Sequence, residues 1–178
     1  MEIFPPRSQL TLYGYSHYFK LFQKLYLKGR LPKVLLLNGE KGSGKATFIY
    51  HYVNWLLSEG EKHQYSDDDY KINEKNSSYK LVQNNIHPNF FLLDRFSEDE
   101  NIKIDQVRNL LKFLNKTTYY KNIKIVLIDN AEFLNKNASN AMLKALEEPN
   151  NNTFFFIINS NSSRLLSTIK SRCIEFRI

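Results

Sequence analysis

Apolar residues recur at helical spacing over residues 17–28, where Phe19, Phe22, Leu25 and Tyr26 share a face and Gly29 with Pro32 supplies a stop. An amphipathic helix is predicted there. Residues 33–38 (KVLLLN) form a short apolar run without polar alternation, the pattern of a strand covered on both faces as in parallel sheets. A glycine-rich turn follows at once, and then ATFIYHYVNWLL returns to helical spacing. The same alternation recurs three more times: FFLLD (90–94) before IDQVRNLLKFL (104–114), IKIVLID (123–129) before NASNAMLKALEE (137–148), and TFFFIIN (153–159) before SSRLLSTI (162–169). CIEFRI supplies a last strand. Five strands alternating with helices predict an α/β fold with a mainly parallel sheet and right-handed crossovers.

Residues 58–86 interrupt this pattern. The stretch is polar, short of aliphatics and without helical or strand period, which predicts a flexible surface insertion. The remainder suits one domain, because 178 residues with 42% hydrophobic content can bury a single large core. One cysteine, Cys173, excludes an intramolecular disulfide and a Cys-based zinc site and fits a reducing cytoplasm. No stretch approaches the roughly 20 apolar residues of a membrane helix, so no membrane partner is expected. Lys and Arg exceed Asp and Glu by 25 to 18, a net charge of +7, which permits a polyanionic partner. No single concentrated basic stripe accompanies it, and a stand-alone nucleic-acid-binding module is the weakest of the functional readings.

The candidate chemistry begins at residues 39–45. Gly39, Gly42, Ser43, Gly44 and Lys45 lie in a G-x-x-x-x-G-K motif directly after an apolar strand and directly before a helix, the context a phosphate-binding loop requires. Glycines let backbone N–H groups turn around phosphate oxygens, the helix N-terminus adds positive potential, and Lys45 can reach the β- and γ-phosphates of ATP or the β-phosphate of ADP. An ordinary glycine turn is the bland alternative. The next residue should carry a hydroxyl for Mg²⁺, and here it is Ala46. Thr47 follows, about 100° further round the helix, so its hydroxyl is expected to point away from the metal. Asp129 ends the third strand, where a carboxylate can hold magnesium or its water shell. Asn130 stands where a water-activating glutamate would be useful, and a neutral amide cannot take a proton. Glu132 is either a substitute base or a solvated loop carboxylate.

The phosphate loop, IKIVLIDNAEFLN, NASNAMLKALEEP and TFFFIINSNSSRLLSTIKSRC resemble, in order and spacing, the N-terminal AAA+ domain of bacterial clamp-loader subunits. The resemblance runs from about residue 31 to 173 and leaves only the insertion unmatched. It implies a three-layer AAA+ domain and a role in the DNA polymerase III holoenzyme, where a hetero-oligomeric ring of subunits loads the sliding clamp onto primed DNA during replication. It also implies that Arg172, in Ser171-Arg172-Cys173, reaches the ATP site of a neighbouring subunit as a trans arginine finger; the alternative is a surface arginine at the start of an edge strand. Asn159 and Ser160 fall where the family places a polar sensor of the γ-phosphate, and a strand-end turn would favour the same residue types. Glu147 and Glu148 precede Pro149 at a helix end whose dipole disfavours negative charge; they either meet a basic neighbour or are solvated. Four zinc-binding cysteines common in the family are missing from 58–86, and His63 and His87 do not replace them, so no zinc is expected. The family continues with a helical lid and a collar domain, so the chain reads as an N-terminal domain. Loss of the groups at Ala46 and Asn130 argues for a clamp-loader subunit with little or no ATPase activity. A self-sufficient P-loop ATPase using Thr47 and Glu132 is the alternative.

Overall fold

The computed structural model describes residues 4–118, 121–150, 152–160 and 164–178. The described chain divides into two compact units, residues 1–31 with 44–87 and residues 32–43 with 88–178.

The second unit holds the whole sheet. Strands β1 (Val34–Asn38), β2 (Phe90–Leu93), β3 (Lys124–Ile128), β4 (Thr153–Asn159) and β5 (Ile174–Arg177) lie in the order β2-β3-β4-β1-β5. Every pairing is parallel, with Leu36 opposite Ile157 and Val126 opposite Phe155. Strands β1, β3 and β4 are buried along their full length, which is why each reads as an unbroken apolar run. Helices α4 (Ile104–Asn115) and α5 (Lys136–Glu147) cover one face. Val107, Leu110, Leu114, Ala138, Met142 and Leu146 from these helices join Val34, Leu36, Val126, Ile128, Phe155 and Ile157 in one core. Asn135 caps α5 by accepting the Ala138 N–H at 2.8 Å. The C-terminus of α4 is closed from β3: buried Lys124 donates from Nζ to the carbonyls of Phe113 (3.1 Å), Leu114 (2.6 Å) and Lys116.

The expected helix over 162–169 is shorter. Helix α6 spans Ser167–Lys170, because Leu166 is extended (φ −60°, ψ 137°) and serves as the N-cap. Residues 162 and 163 of that expectation lie outside the described residues.

The first unit is built on aromatic packing. Helix α1 (Ser16–Leu27) supplies Phe19 and Phe22, and α2 (Lys45–Ser58) supplies Phe48, Tyr52 and Trp55. Phe19 lies edge-on to Tyr52 (5.7 Å) and Phe22 edge-on to Phe48 (5.3 Å), geometries favoured by ring quadrupoles. The Tyr52 hydroxyl donates to the Phe22 carbonyl at 3.1 Å, satisfying the one polar atom this ring buries.

Residues 58–86 depart from expectation. They contain helix α3 (Ser77–Gln83), and Tyr65, Ile72 and Val82 are buried. Tyr65 stacks on Phe19 at 5.1 Å. Asn76 caps α3 by accepting the Tyr79 N–H at 2.6 Å and also accepts from Asn54 Nδ2 of α2 at 2.9 Å. The Glu61 carboxylate accepts from Asn76 Nδ2 (2.7 Å) and the Ser77 N–H (3.0 Å), so an anion sits at the positive end of α3. A few well-placed polar bonds and three buried side chains therefore order a stretch whose composition is that of a loop. Replacement of 58–86 by a short Gly/Ser linker should lower the melting temperature by about 10 °C or more, since each buried apolar side chain contributes roughly 1.5–3 kcal/mol. An unchanged melting temperature would return the segment to a dispensable loop.

His51 is sealed in the same unit, with Nδ1 3.0 Å from the Tyr65 hydroxyl and Nε2 3.0 Å from the Gln9 carbonyl. The neutral ring meets both needs by donating from Nε2 and accepting at Nδ1. Burial pushes its pKa down to about 4, against a smaller opposing effect of the Gln9 carbonyl. Because the folded value lies below the unfolded one, the unfolded chain binds more protons between pH 4 and 6.5. The stabilisation is whole above about 6.5 and is lost as pH falls toward 4. We expect a loss of about 2 kcal/mol between pH 7 and 5 from this residue. Denaturant titrations should show a correspondingly flatter pH profile for His51→Gln; identical slopes for both proteins would refute this.

Candidate functional site

Parallel pairing gathers the C-terminal ends of all strands on one edge of the second unit, the edge where α/β sheets bind ligands. β1 ends at Asn38 and runs into residues 39–43. Gly42 has φ +82°, and the Ser43 N–H donates to the Glu40 carbonyl at 3.3 Å. Asp129 follows β3, and its Oδ1 accepts the Asn130 N–H at 2.8 Å, with Asn130 itself at φ +53°. Asn159 ends β4 fully buried. Its Nδ2 donates to Asn38 Oδ1 at 2.7 Å, while its own Oδ1 has no hydrogen-bond partner among the described residues. Asn38 in turn donates to Glu175 on β5, and this bond, with Arg177, holds the Glu175 carboxyl below its ordinary range. Gly39, Gly42, Ser43, Asp129 and Asn159 thus share one sheet edge.

That edge contains a residue the sequence did not single out. Asp94, just after β2, accepts from Asn130 Nδ2 at 2.9 Å and from the Arg95 N–H at 2.7 Å. The amide at position 130 is therefore tied to a carboxylate from the adjoining strand. The only advance signal was a polar residue at the end of an apolar run. Glu132 is occupied elsewhere, since both carboxylate oxygens lie 3.3 Å from the Ser160 N–H.

In the first unit, Gly44 (φ +93°) precedes α2, and its carbonyl accepts the Phe48 N–H at 2.9 Å. Only glycine adopts this backbone without strain. A Cβ at Gly44 would also approach Tyr15 Cε2 to 3.2 Å, and Tyr15 stacks on Phe48 at 5.3 Å. Tyr15 is a second residue that sequence reasoning passed over. Lys45, Ala46 and Thr47 form the first turn of α2, with Lys45 buried.

Arg172 lies at the other end of the sheet. Ile174 of β5 pairs with Leu35 and Arg177 with Asn38, so β5 climbs roughly 10 Å from its start to the level of the loop edge. Arg172 precedes that start. Its Nε donates to Glu147 Oε1 at 2.8 Å, Nη2 contacts the same oxygen, and Nη1 donates to the Thr168 carbonyl at 2.7 Å and to Ser171 Oγ at 3.3 Å. Glu147 at the end of α5 thus meets a basic neighbour, which offsets the unfavourable helix dipole. Cys173 beside it donates to the Ile169 carbonyl, and burial pushes its thiol up to about 12. Among the described residues, no group of three or more His, Cys, Asp or Glu side chains could hold a metal ion.

A family model described as "DNA polymerase III, delta subunit" matches residues 14–178. The DNA polymerase III subunit delta-prime of Pseudomonas aeruginosa is 36% identical over 87% of this chain and 45% of its own length. The Escherichia coli and Bacillus subtilis proteins of the same name are each 31% identical, over 85% and 86% of this chain and 45% and 44% of theirs. The chain spans about half the length of these relatives. A gamma subunit-related protein from Thermotoga maritima superposes with a TM-score of 0.59 at 24% identity, covering 88% of this chain and 45% of that one. The RuvB Holliday junction branch migration motor of the same organism gives 0.53 at 15%, covering 95% and 45%. These two likenesses show the fold, an α/β P-loop fold of the AAA+ type with a five-stranded parallel sheet. Matched along 165 of its 178 positions (14 to 178), the chain belongs to the DNA polymerase III delta subunit family and is similar within it to the delta-prime subunits.

Proposed function

We propose that this chain is the nucleotide-fold domain of a clamp-loader subunit, working in a ring with gamma- and tau-type subunits to load a sliding clamp onto primed DNA. Relatives named DNA polymerase III subunit gamma and subunit tau, 24% and 25% identical, support that company. In this reading the chain hydrolyses little or no ATP and lends Arg172 to a nucleotide held by a neighbour. The observation that carries it is the placing of Arg172 before the start of β5, at the sheet edge away from residues 39–43. Beside a neighbour's γ-phosphate, a planar cation would stabilise the charge that grows during phosphoryl transfer.

By the G-x-x-x-x-G-K motif of the sequence, Gly39, Gly42, Ser43, Gly44 and Lys45 would hold the phosphates of a bound ATP or ADP. Magnesium would supply charge neutralisation between β- and γ-phosphates. Ala46 offers it no hydroxyl, and Asp129 already accepts from Asn130. Asn130 cannot act as a base, and its amide is committed to Asp94. One observation favours a second reading: the Asp94 carboxylate stands against position 130, so a self-sufficient ATPase would use Asp94 as its base in place of Glu132.

The isolated chain should hydrolyse ATP no faster than its Lys45→Ala variant in a steady-state phosphate-release assay. A rate of order 1 s⁻¹ or more, lost in Lys45→Ala and in Asp94→Asn, would establish the second reading. In a reconstituted complex, Arg172→Ala should leave assembly intact and lower clamp- and DNA-stimulated ATPase several-fold, the loss being diluted by the other ATP sites. Arg172→Lys should not rescue it, because a point charge on a flexible stem lacks the planar fork. Unchanged ATPase and clamp loading in Arg172→Ala would return Arg172 to the surface.

A further inference from the structure

Arg172 does not wait with its donors open. A guanidinium engages a phosphate best through two parallel N–H groups on one edge of its plane. The edge formed by Nε and Nη2 is closed by Glu147 Oε1, and Nη1 is drawn to the Thr168 carbonyl and Ser171 Oγ. The Arg172 side chain is 26% exposed and that of Glu147 48%, so the pair lies at the surface yet half-covered. Its two halves come from different elements, the end of α5 and the turn after α6, which the chain brings together across 25 positions.

We infer that Glu147 is a latch on Arg172: it holds the guanidinium in a parked orientation that a neighbouring subunit's nucleotide must displace before the arginine can act. The inference rests on the trans role proposed above for Arg172. Two features make the latch reversible. A half-exposed ion pair is weak, commonly worth no more than a few-fold in an equilibrium. A triphosphate carries more charge than one carboxylate and offers oxygens that fit the fork bidentately, so it competes effectively for the same edge. Glu147 is thus a positioning residue, setting how much of the arginine is available at low nucleotide occupancy. Removing its charge raises that fraction and so raises the apparent affinity of the neighbour's site.

The test uses Glu147→Gln and Glu147→Ala, with Glu148→Gln as the neighbouring-charge control, each alone and combined with Arg172→Ala. In the chain itself, solvent exchange of the Arg172 Nε proton, followed by NMR, should quicken several-fold in both Glu147 variants and stay unchanged in Glu148→Gln. In the reconstituted complex with primed DNA and clamp, the ATP concentration for half-maximal hydrolysis should fall two- to five-fold in the Glu147 variants. Arg172→Ala should lower the maximal rate and abolish that shift. If Arg172→Ala lowers the rate while Glu147→Gln leaves half-saturation unchanged or raises it, the latch is overturned and the finger stands. If Arg172→Ala has no effect on the complex, both fall. Unchanged exchange of the Nε proton in both Glu147 variants overturns the latch at its physical root, whatever the complex does.

Discussion

Parallel pairing of all five strands is the constraint on which the rest depends. Strands that run the same way must bring every C-terminal end to one edge and every N-terminal end to the other. Buried on both faces, β1, β3 and β4 are held in register by apolar side chains that alternate between two covered surfaces, so a one-residue slip has little polar signal to resist it. Polar side chains meet at the strand ends. Asn159 donates to Asn38, which donates to Glu175, joining β4, β1 and β5 at the level of the loop. Lys124 ties the start of β3 to the end of α4.

The same constraint separates the glycine loop from Arg172. The glycine loop and Asp129 stand on the C-terminal edge, and Arg172 stands before the N-terminal end of the last strand. In the proposed reading, one copy of the fold would hold an anion at one end and offer a cation from the other. The C-terminal edge is dominated by amides at Asn38, Asn130 and Asn159, which donate and accept but take no proton. Asn130 closes on Asp94 and Asn159 on Asn38. Glu147 and Arg172 form a corresponding closed pair at the other edge.

The strands and long helices were legible in the sequence because burial on both faces writes an unbroken apolar run, and a one-sided helix writes a period near 3.6. Residues 58–86 were not. Tyr65, Ile72 and Val82 share no period; α3 is held by its cap Asn76, which Asn54 meets across 22 positions, and by Glu61, which meets Ser78 across 17. Helix α6 was overread because apolar residues before it suggested a longer helix than the extended Leu166 allows. The G-x-x-x-x-G-K motif and Arg172 stand out in the sequence, but their surroundings do not: Asp94 meets Asn130 across 36 positions, and Glu147 meets Arg172 across 25. Pairings of that reach depend on strand order, which a linear pattern does not contain. Tyr15 was passed over for a simpler reason, being one aromatic among many near a predicted helix.

The chemistry proposed for this chain is directed at a nucleotide held by a neighbouring subunit. A structure of the reconstituted clamp-loading complex, bound to a non-hydrolysable ATP analogue and primed DNA, tests it most directly through the position of one guanidinium. The account predicts Arg172 lifted from Glu147 and within hydrogen-bond distance, about 3 Å, of a γ-phosphate oxygen in the adjoining subunit. Arg172 still seated on Glu147, with another side chain contacting every γ-phosphate in the ring, would contradict it.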